Sequence, residues 1–206
     1  FCLQGSTKLY GGFAGTETSI AQRNIAANPT TLSGDIGTVG VATDNVYHII
    51  LLPPDVSAMP VLDGFTISGG NANGAGSTVL GATGILRNSG GGIFGQSNGI
   101  SVANCTFSGN AAAQTGGAVS IEGTLVSSYV NCKFLNNSSA SVAGGVFTSN
   151  PLTLTNCVFA QNTASLGGAG LSYSGPGIAN ISNTIFSGNN AFIGGAFSLA
   201  GGGTVN

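Results

Sequence analysis

The chain has 206 residues, of which 5% are charged and 36 are glycine, with a net charge of −2 and no run of basic side chains. A chain of this length is one domain or a piece of one. Its charge balance leaves no electrostatic footprint for nucleic acid or an anionic membrane surface, and no apolar run approaches the roughly 18 residues of a membrane-spanning helix. Hydrophobic content of 42%, placed periodically, argues against a disordered linker. Glycine at every third position, as collagen requires, is missing.

Residues 1–60 are the least regular part. Lys8 to Thr18 reads as a short strand running into a glycine turn. Ser19 to Asn28 carries helix signals: Ser19 as a cap, Gln22 three positions on, and Pro29 after the end. Thr31 to Asp35 and Val46 to Leu51 read as strands, the second closed by Pro53-Pro54. Val61 to Asn71 is an early, diverged copy of a motif that becomes regular later, with Phe65 and Ile67 in the places of Cys and Phe. Residues 71–90, rich in Asn, Gly and Ala, read as an inserted loop, so that 61–90 is a diverged coil plus insertion and 91–206 a regular array.

In that array Asn104-Cys105-Thr106-Phe107-Ser108-Gly109-Asn110 recurs from Asn131, from Asn156 and, with Thr184 for Cys, from Asn183. Phe107, Phe134, Phe159 and Phe186 are 27, 25 and 27 residues apart; the Gly-Gly pairs beginning at Gly91, Gly116, Gly144, Gly167 and Gly194 are 25, 28, 23 and 27 apart. A motif repeated at this period marks a solenoid, whose repeats bury their apolar faces against one another. Within Leu152 to Phe159 the alternation of apolar residues slips by one at Asn156. Two short strands joined by a one-residue corner give that pattern, and Asn suits a left-handed corner. Asn104, Asn131, Asn156 and Asn183 should therefore stack as an amide ladder. The segments after the Gly-Gly pairs supply a third strand. The expected fold is an all-β, right-handed parallel β-helix of about eight coils of ~26 residues, roughly 40 Å long at the strand spacing of a sheet.

Cys105, Cys132 and Cys157 occupy equivalent positions and should stack as a buried ladder of thiols, because parallel in-register side chains suit a disulfide poorly. Cys2 has no partner in the pattern.

The Phe-x-x-Asn and Gly-Gly-Ala elements (Phe107 to Asn110 with Gly116 to Ala118; Phe186 to Asn189 with Gly194 to Ala196) resemble the repeats of bacterial polymorphic outer-membrane proteins. With Leu9 to Arg23, Leu32 to Asp35 and Leu62 to Ile67, the chain is similar to β-helix surface proteins of pectin-lyase-like architecture. The resemblance implies an adhesive or structural passenger on a bacterial exterior, and no catalytic residue carries over from it.

The alternative reading is a polysaccharide lyase or glycoside hydrolase of that architecture with its site in the N-terminal half; such enzymes need clustered carboxylates, for calcium or as acid and base. The acidic residues are Glu17, Asp35, Asp44, Asp55, Asp63 and Glu122, and 123–206 contains none. Asp35, Asp44, His48 and Asp63 form the one combination that adjacent coils would bring together, but Asp35 and Asp63 flank glycines and read more simply as turn partners, and His48 lies in an apolar strand. Glu17 and Arg23 read as a local pair or as caps. The glycines of 10–15 lack the Lys-Ser/Thr of a phosphate loop. Thr153-x-Thr155 is an isolated instance, so no threonine face for ice emerges. Sequons occur at Asn104, Asn137 and Asn180, the first in the expected interior ladder.

The chain starts in a strand-like segment, Phe1-Cys2-Leu3, and its last residues, 201–206, resemble the opening of another coil; no signal peptide is evident at Phe1. Uncapped solenoid ends expose unpaired backbone. These readings predict a non-enzymatic, extracellular structural or adhesive β-helix with no cofactor and no metal. They predict copies of itself or adjoining coils as partners, glycans or cell surfaces as ligands, and growth by end-to-end strand stacking.

Overall fold

The computed structural model describes residues 1–54, 58–80, 83–96 and 99–206; Asp55 lies outside them. The chain is nearly all β, and it runs through stacked sheets whose strands are parallel, an arrangement consistent with a parallel β-helix. Sheet I comprises Lys8–Tyr10, Val61–Asp63, Ser101–Ala103, Ser127–Val130, Leu152–Thr155, Ile178–Ser182 and Thr204–Val205. Sheet II comprises Thr30–Ser33, Phe65–Ser68, Thr106–Ser108, Lys133–Leu135, Val158–Ala160 and Ile185–Ser187. Sheet III is made of the two-residue strands Asn71–Ala72, Ala111–Ala112, Ser138–Ser139 and Thr163–Ala164. Sheet IV comprises Ile50–Leu52, Ile93–Gln96, Val119–Glu122, Val146–Thr148, Leu171–Tyr173 and Phe197–Leu199. The sequence announces three strands per repeat. The short strands of sheet III escape it because two residues carry no period of their own.

Strand pairing sets the register. Phe107 pairs with Ile67 and Phe134, Phe134 with Phe159, and Phe159 with Phe186. Equivalent side chains therefore stack at the strand spacing of about 4.8 Å. The phenylalanine rings lie nearly parallel, with centroids 5.0, 4.4 and 4.8 Å apart. Phe107, Phe134 and Phe159 are fully buried, each contributing about 2–3 kcal/mol of apolar burial. Leu62, Val102, Tyr129 and Leu154 line the same core from sheet I, and Ile50, Ile93, Val119, Val146 and Leu171 from sheet IV.

The corners follow from left-handed residues. Asn104, Asn131, Asn156 and Asn183 have φ of 51°, 54°, 55° and 47° at the turn from sheet I to sheet II, as the phase slip predicts. A second left-handed position leaves sheet II at Gly109, Asn136, Gln161 and Gly188. A third precedes sheet IV at Gly90, Gly116, Ala143, Gly168 and Gly194. By pairing register these last positions are equivalent, and they are 26, 27, 25 and 26 residues apart. The irregular spacing of the Gly-Gly pairs arises because the pair begins one position after the corner at Gly91 and at Gly144, where Ala143 holds the corner, on the corner at Gly116 and Gly194, and one position before it at Gly167. Two positions after the corner the residue is glycine in three repeats (Gly92, Gly145 and Gly170) and alanine in two (Ala118 and Ala196), and the glycines have a different constraint. A Cβ at Gly145 overlaps the Gly170 carbonyl oxygen, and one at Gly92 overlaps that of Ala118.

The first ninety residues depart from expectation in three places. The helix expected over 19–28 is a single 3-10 turn, Ile20–Gln22. The side chain of Gln22 accepts hydrogen bonds from the backbone N–H groups of Thr18 (2.7 Å) and Ser19 (3.2 Å), and Arg23 turns extended to reach Asp63. The strand expected over Val46–Leu51 begins only at Ile50 and runs to Leu52. The inserted loop of 71–90 holds a strand of sheet III and an antiparallel hairpin, Ser77–Leu80 with Thr83–Leu86.

Candidate functional site

Polar side chains of the array form two ladders. On the surface, Asn156 Nδ2 donates to Asn131 Oδ1 (3.2 Å), Asn131 Nδ2 to Asn104 Oδ1 (3.1 Å), and Asn104 Nδ2 to Asp63 Oδ1 (2.8 Å). This corner ladder is partly to fully exposed, so the sequon asparagine Asn104 stands at the surface rather than in the interior, while its neighbour Cys105 points inward. Asp63 ends the ladder. A carboxylate only accepts, and its second oxygen pairs with Arg23, both side chains being 13% exposed. Asp63 thus bonds to side chains rather than to turn backbone, and Arg23 also donates to its carbonyl at 3.1 Å.

The second ladder is the asparagine of Phe-x-x-Asn. Asn110, Asn137 and Asn162 are essentially buried. The backbone N–H and Nδ2 of Asn110 both donate to Asn137 Oδ1 (3.0 Å each), those of Asn137 to Asn162 Oδ1 (3.0 Å each), and those of Asn162 to Asn189 Oδ1 (3.0 and 2.8 Å). Each amide also donates backward to a carbonyl of the preceding repeat, as Asn137 Nδ2 does to Phe107 O at 3.0 Å. The buried amides are satisfied by other repeats, which makes repeat-to-repeat registry a property of the motif. The sequence motif shows this asparagine, but its inward direction needs the corner at Gly109, Asn136 and Gln161.

The three thiols are free and buried between the ladders. Each Sγ lies against the carbonyl two residues earlier, Ala103, Val130 or Thr155, at 3.1, 3.4 and 3.5 Å. Thr184 Oγ1 makes the corresponding bond to Ser182 O at 2.9 Å. Burial pushes the Cys105 thiol up to about 11. The hydrogen bond with Cys157, together with burial, pushes Cys132 up as well.

Asp35, Asp44 and Glu17 each have a local partner. Asp35 Oδ2 accepts from Gly40 N–H (2.9 Å) and Asp44 Oδ2 from Thr38 N–H (2.7 Å). Glu17 caps a turn, accepting from the N–H groups of Ala14, Gly15 and Thr16, which lowers its pKa. Glu17 and Arg23 therefore have different partners. His48 Nδ1 lies 3.0 Å from Gly90 O, its ring stacks on Phe94 at 5.2 Å, and burial lowers its pKa. Thr43 to His48 line an open cleft of about 480 Å³ that brings Asp44 and His48 to one surface, whereas Asp63 belongs to the corner beside Arg23. Glu122 lies on a groove of about 430 Å³ with Pro54, Gln96, Gly123, Thr124 and Ser149. Among the described residues no three His, Cys, Asp or Glu side chains gather as a metal centre, and no helix is long and apolar enough to cross a membrane.

Inward-pointing residues at both ends of the stack, Leu9 at one and Ile181, Phe186 and Phe197 at the other, are only partly covered. Lys8–Tyr10 and Thr30–Ser33 are outermost strands at one end, and Ile185–Ser187, Phe197–Leu199 and Thr204–Val205 at the other. No family model matches the chain, and no curated protein or solved structure matches it.

Proposed function

We propose that this chain is a non-enzymatic structural or adhesive element of a cell exterior. It is a right-handed parallel β-helix of about eight coils of ~26 residues, akin to polymorphic outer-membrane repeats and to the pectin-lyase-like architecture, and it extends by strand stacking at its ends. The observation that carries this reading is the direction of its polar chemistry. The motif asparagines bond along the stack to the asparagines of neighbouring repeats, so the conspicuous polar residues join repeats to one another. A stiff rod of this kind presents Ser, Thr and Asn to glycans, surfaces or further copies.

Negative-stain microscopy of the native material tests it. Long uniform fibres with an axial repeat near 4.8 Å in diffraction are expected. Discrete short particles in native material would sink the filament reading. Cleavage of a polysaccharide panel that is lost on Asp35→Asn or Asp44→Asn would overturn the non-enzymatic one.

A further inference from the structure

The segment 43–48 carries more hydrogen-bonding capacity than the chain uses. It runs from the 3-10 turn Ala42–Asp44 towards the sheet IV strand Ile50–Leu52, and its backbone is pinned. Val46 N–H donates to Gly34 O (3.0 Å) and Asn71 N–H to Val46 O (2.8 Å). Asn45 Nδ2 donates to Gly69 O (2.7 Å) and Asn71 Nδ2 to Ala42 O (2.6 Å). The open cleft of about 480 Å³ that this segment lines therefore stands on fixed backbone. Its size falls within the range of small-molecule sites, roughly 300–1,000 Å³.

The groups left over are mainly acceptors. His48 Nδ1 lies 3.0 Å from Gly90 O; a carbonyl only accepts, so Nδ1 carries the proton and Nε2 is a bare acceptor. Burial lowers the pKa of His48 and keeps the ring neutral. Nε2 and Asn45 Oδ1 are buried without a hydrogen-bond partner. Asp35 Oδ1 is in the same state, close to the Gly69 that Asn45 holds. Asp44 is exposed and gives Oδ2 to Thr38 N–H, which leaves its other oxygen available. Tyr47 is 37% exposed, its ring 6.5 Å from that of His48. Arg87 is held by Ala75 O and by the Tyr47 ring, 5.5 Å away, and of the lining residues only Asp44 is charged.

Unpaired buried acceptors are costly and call for a donor. A phosphate, a sulfate or the carboxylate of a uronic acid brings further acceptors and negative charge beside Asp44. A metal ion needs ligands gathered at one point, and among the described residues no three His, Cys, Asp or Glu side chains gather so. An uncharged pyranose brings several hydroxyl donors on a rigid ring, with C–H faces that suit a tyrosine.

Resting on the adhesive reading above, we propose that this cleft binds an uncharged pyranose unit of a polysaccharide and does not cleave it. The exposed side chains of Thr43, Asp44 and Tyr47 make the first contact, and the shielded acceptors of Asn45 and His48 take hydroxyl groups once the ring is seated.

The test titrates the isotope-labelled 206-residue chain with cellohexaose, mannohexaose and xylohexaose, and with hexagalacturonate as the acidic probe. Saturable binding of at least one neutral oligosaccharide is expected, with amide shifts centred on 43–48 and a shift of the His48 Nε2 resonance. Tyr47→Ala should weaken it at least about tenfold. Asp44→Asn keeps an oxygen for Thr38 N–H and should narrow the preference for neutral over acidic sugar about threefold or more, whereas a structural role would weaken both alike. Unchanged amide shifts over 101–199 show that each variant is folded. No saturable binding of a neutral oligosaccharide, tighter binding of hexagalacturonate, or binding indifferent to Tyr47→Ala would each overturn the proposal. Fibres in native material without sugar binding would sink this site and leave the structural reading standing; binding followed by cleavage that Asp44→Asn abolishes would sink the non-enzymatic reading on which the proposal rests.

Discussion

The array of 91–206 and the segment of 1–90 have the same core but use different chemistry at their corners. In the array each corner is a single left-handed residue, and the polar side chains beside it bond to copies of themselves one repeat away. In the N-terminal part the equivalent rows are broken: Gly64 stands where Asn104 does, and Gly70 where Asn110 does. There the work falls to charged and local contacts, Arg23 with Asp63, Asp35 with Gly40, Asp44 with Thr38. Repetition lets an amide be both donor and acceptor to an identical neighbour; where repetition stops, the corner row ends on the acceptor-only carboxylate of Asp63 and the buried row on the backbone N–H of Gly70.

The strongest way to break the array is through its buried ladder or its close glycines. Asn137→Leu takes the acceptor from the N–H of Asn110 and from one of the two Nδ2 protons of Asn110, and a donor from the carbonyl of Phe107. Several buried unsatisfied groups cost on the order of 3–5 kcal/mol. Gly145→Ala forces a methyl group into the Gly170 carbonyl oxygen and the Phe159 ring and should cost about 3 kcal/mol or more. Hydrogen exchange resolved by segment is the right measurement, because repeat arrays need not unfold as one unit. Loss of protection should spread from residues 105–165, with 1–50 affected later.

The corresponding break in the N-terminal part is Arg23→Ala. It leaves the Asp63 carboxylate with Asn104 as its remaining side-chain partner and removes the guanidinium from the face of Tyr10, 5.3 Å away. Because the pair keeps some solvent contact, the expected cost is about 2 kcal/mol, below that of a fully buried pair. Protection should fall first at 8–33. If it fell equally at 130–165, the two regions would be one cooperative unit and the contrast drawn above would be wrong.

Acid and alkali should separate the regions. Burial lowers the pKa of His48, so below the ordinary imidazole value near 6.5 the unfolded chain binds a proton that the folded chain does not. The N-terminal part therefore loses stability as pH falls through that range. The Cys105 thiol acts in the opposite sense. Cys105 is raised to about 11, so above the ordinary thiol value near 8.5 the unfolded chain ionises first. Through Cys105 the stability of the array then falls by up to about 1.4 kcal/mol per pH unit. Urea midpoints with segment-resolved exchange at pH 5, 7.5 and 10 check both signs. Cys105→Ser should flatten the alkaline limb, since the array already accepts a hydroxyl at Thr184.

Much of this contrast is legible in the sequence. The period, the thiol row, the phenylalanine column and the left-handed asparagine corner all follow from spacing, because a repeat states the same constraint several times. What stays hidden is stated once or in too few residues. Two-residue strands have no alternation to read, and the direction of Asn110, Asn137 and Asn162 depends on a corner filled variously by Gly, Asn and Gln. Ser19 and Gln22 are sound helix signals, yet the pull of Asp63 on Arg23 stops the helix after one turn. Asp35, Asp44, His48 and Asp63 were the residues most open to a catalytic reading, and their partners lie in loops whose course no period announces.

The smallest effect probes the one corner where the array departs from its own rule. Ala143 holds φ of 58° where its equivalents are glycine, and a left-handed alanine costs roughly 1–2 kcal/mol. Ala143→Gly relieves that strain, but it gives up a buried methyl group worth about 0.8 kcal/mol and adds backbone freedom to the unfolded chain. With the strain at the upper end of that range, about 2 kcal/mol, and an unfolded-state cost of about 0.7 kcal/mol, the balance favours glycine by about 0.5 kcal/mol, seen as slower exchange at Val146 to Thr148 and no change at residues 8–33. A loss of stability instead would mean that the Ala143 methyl group packs well enough to offset its backbone strain, and that the array tolerates its irregular member for the contact it makes.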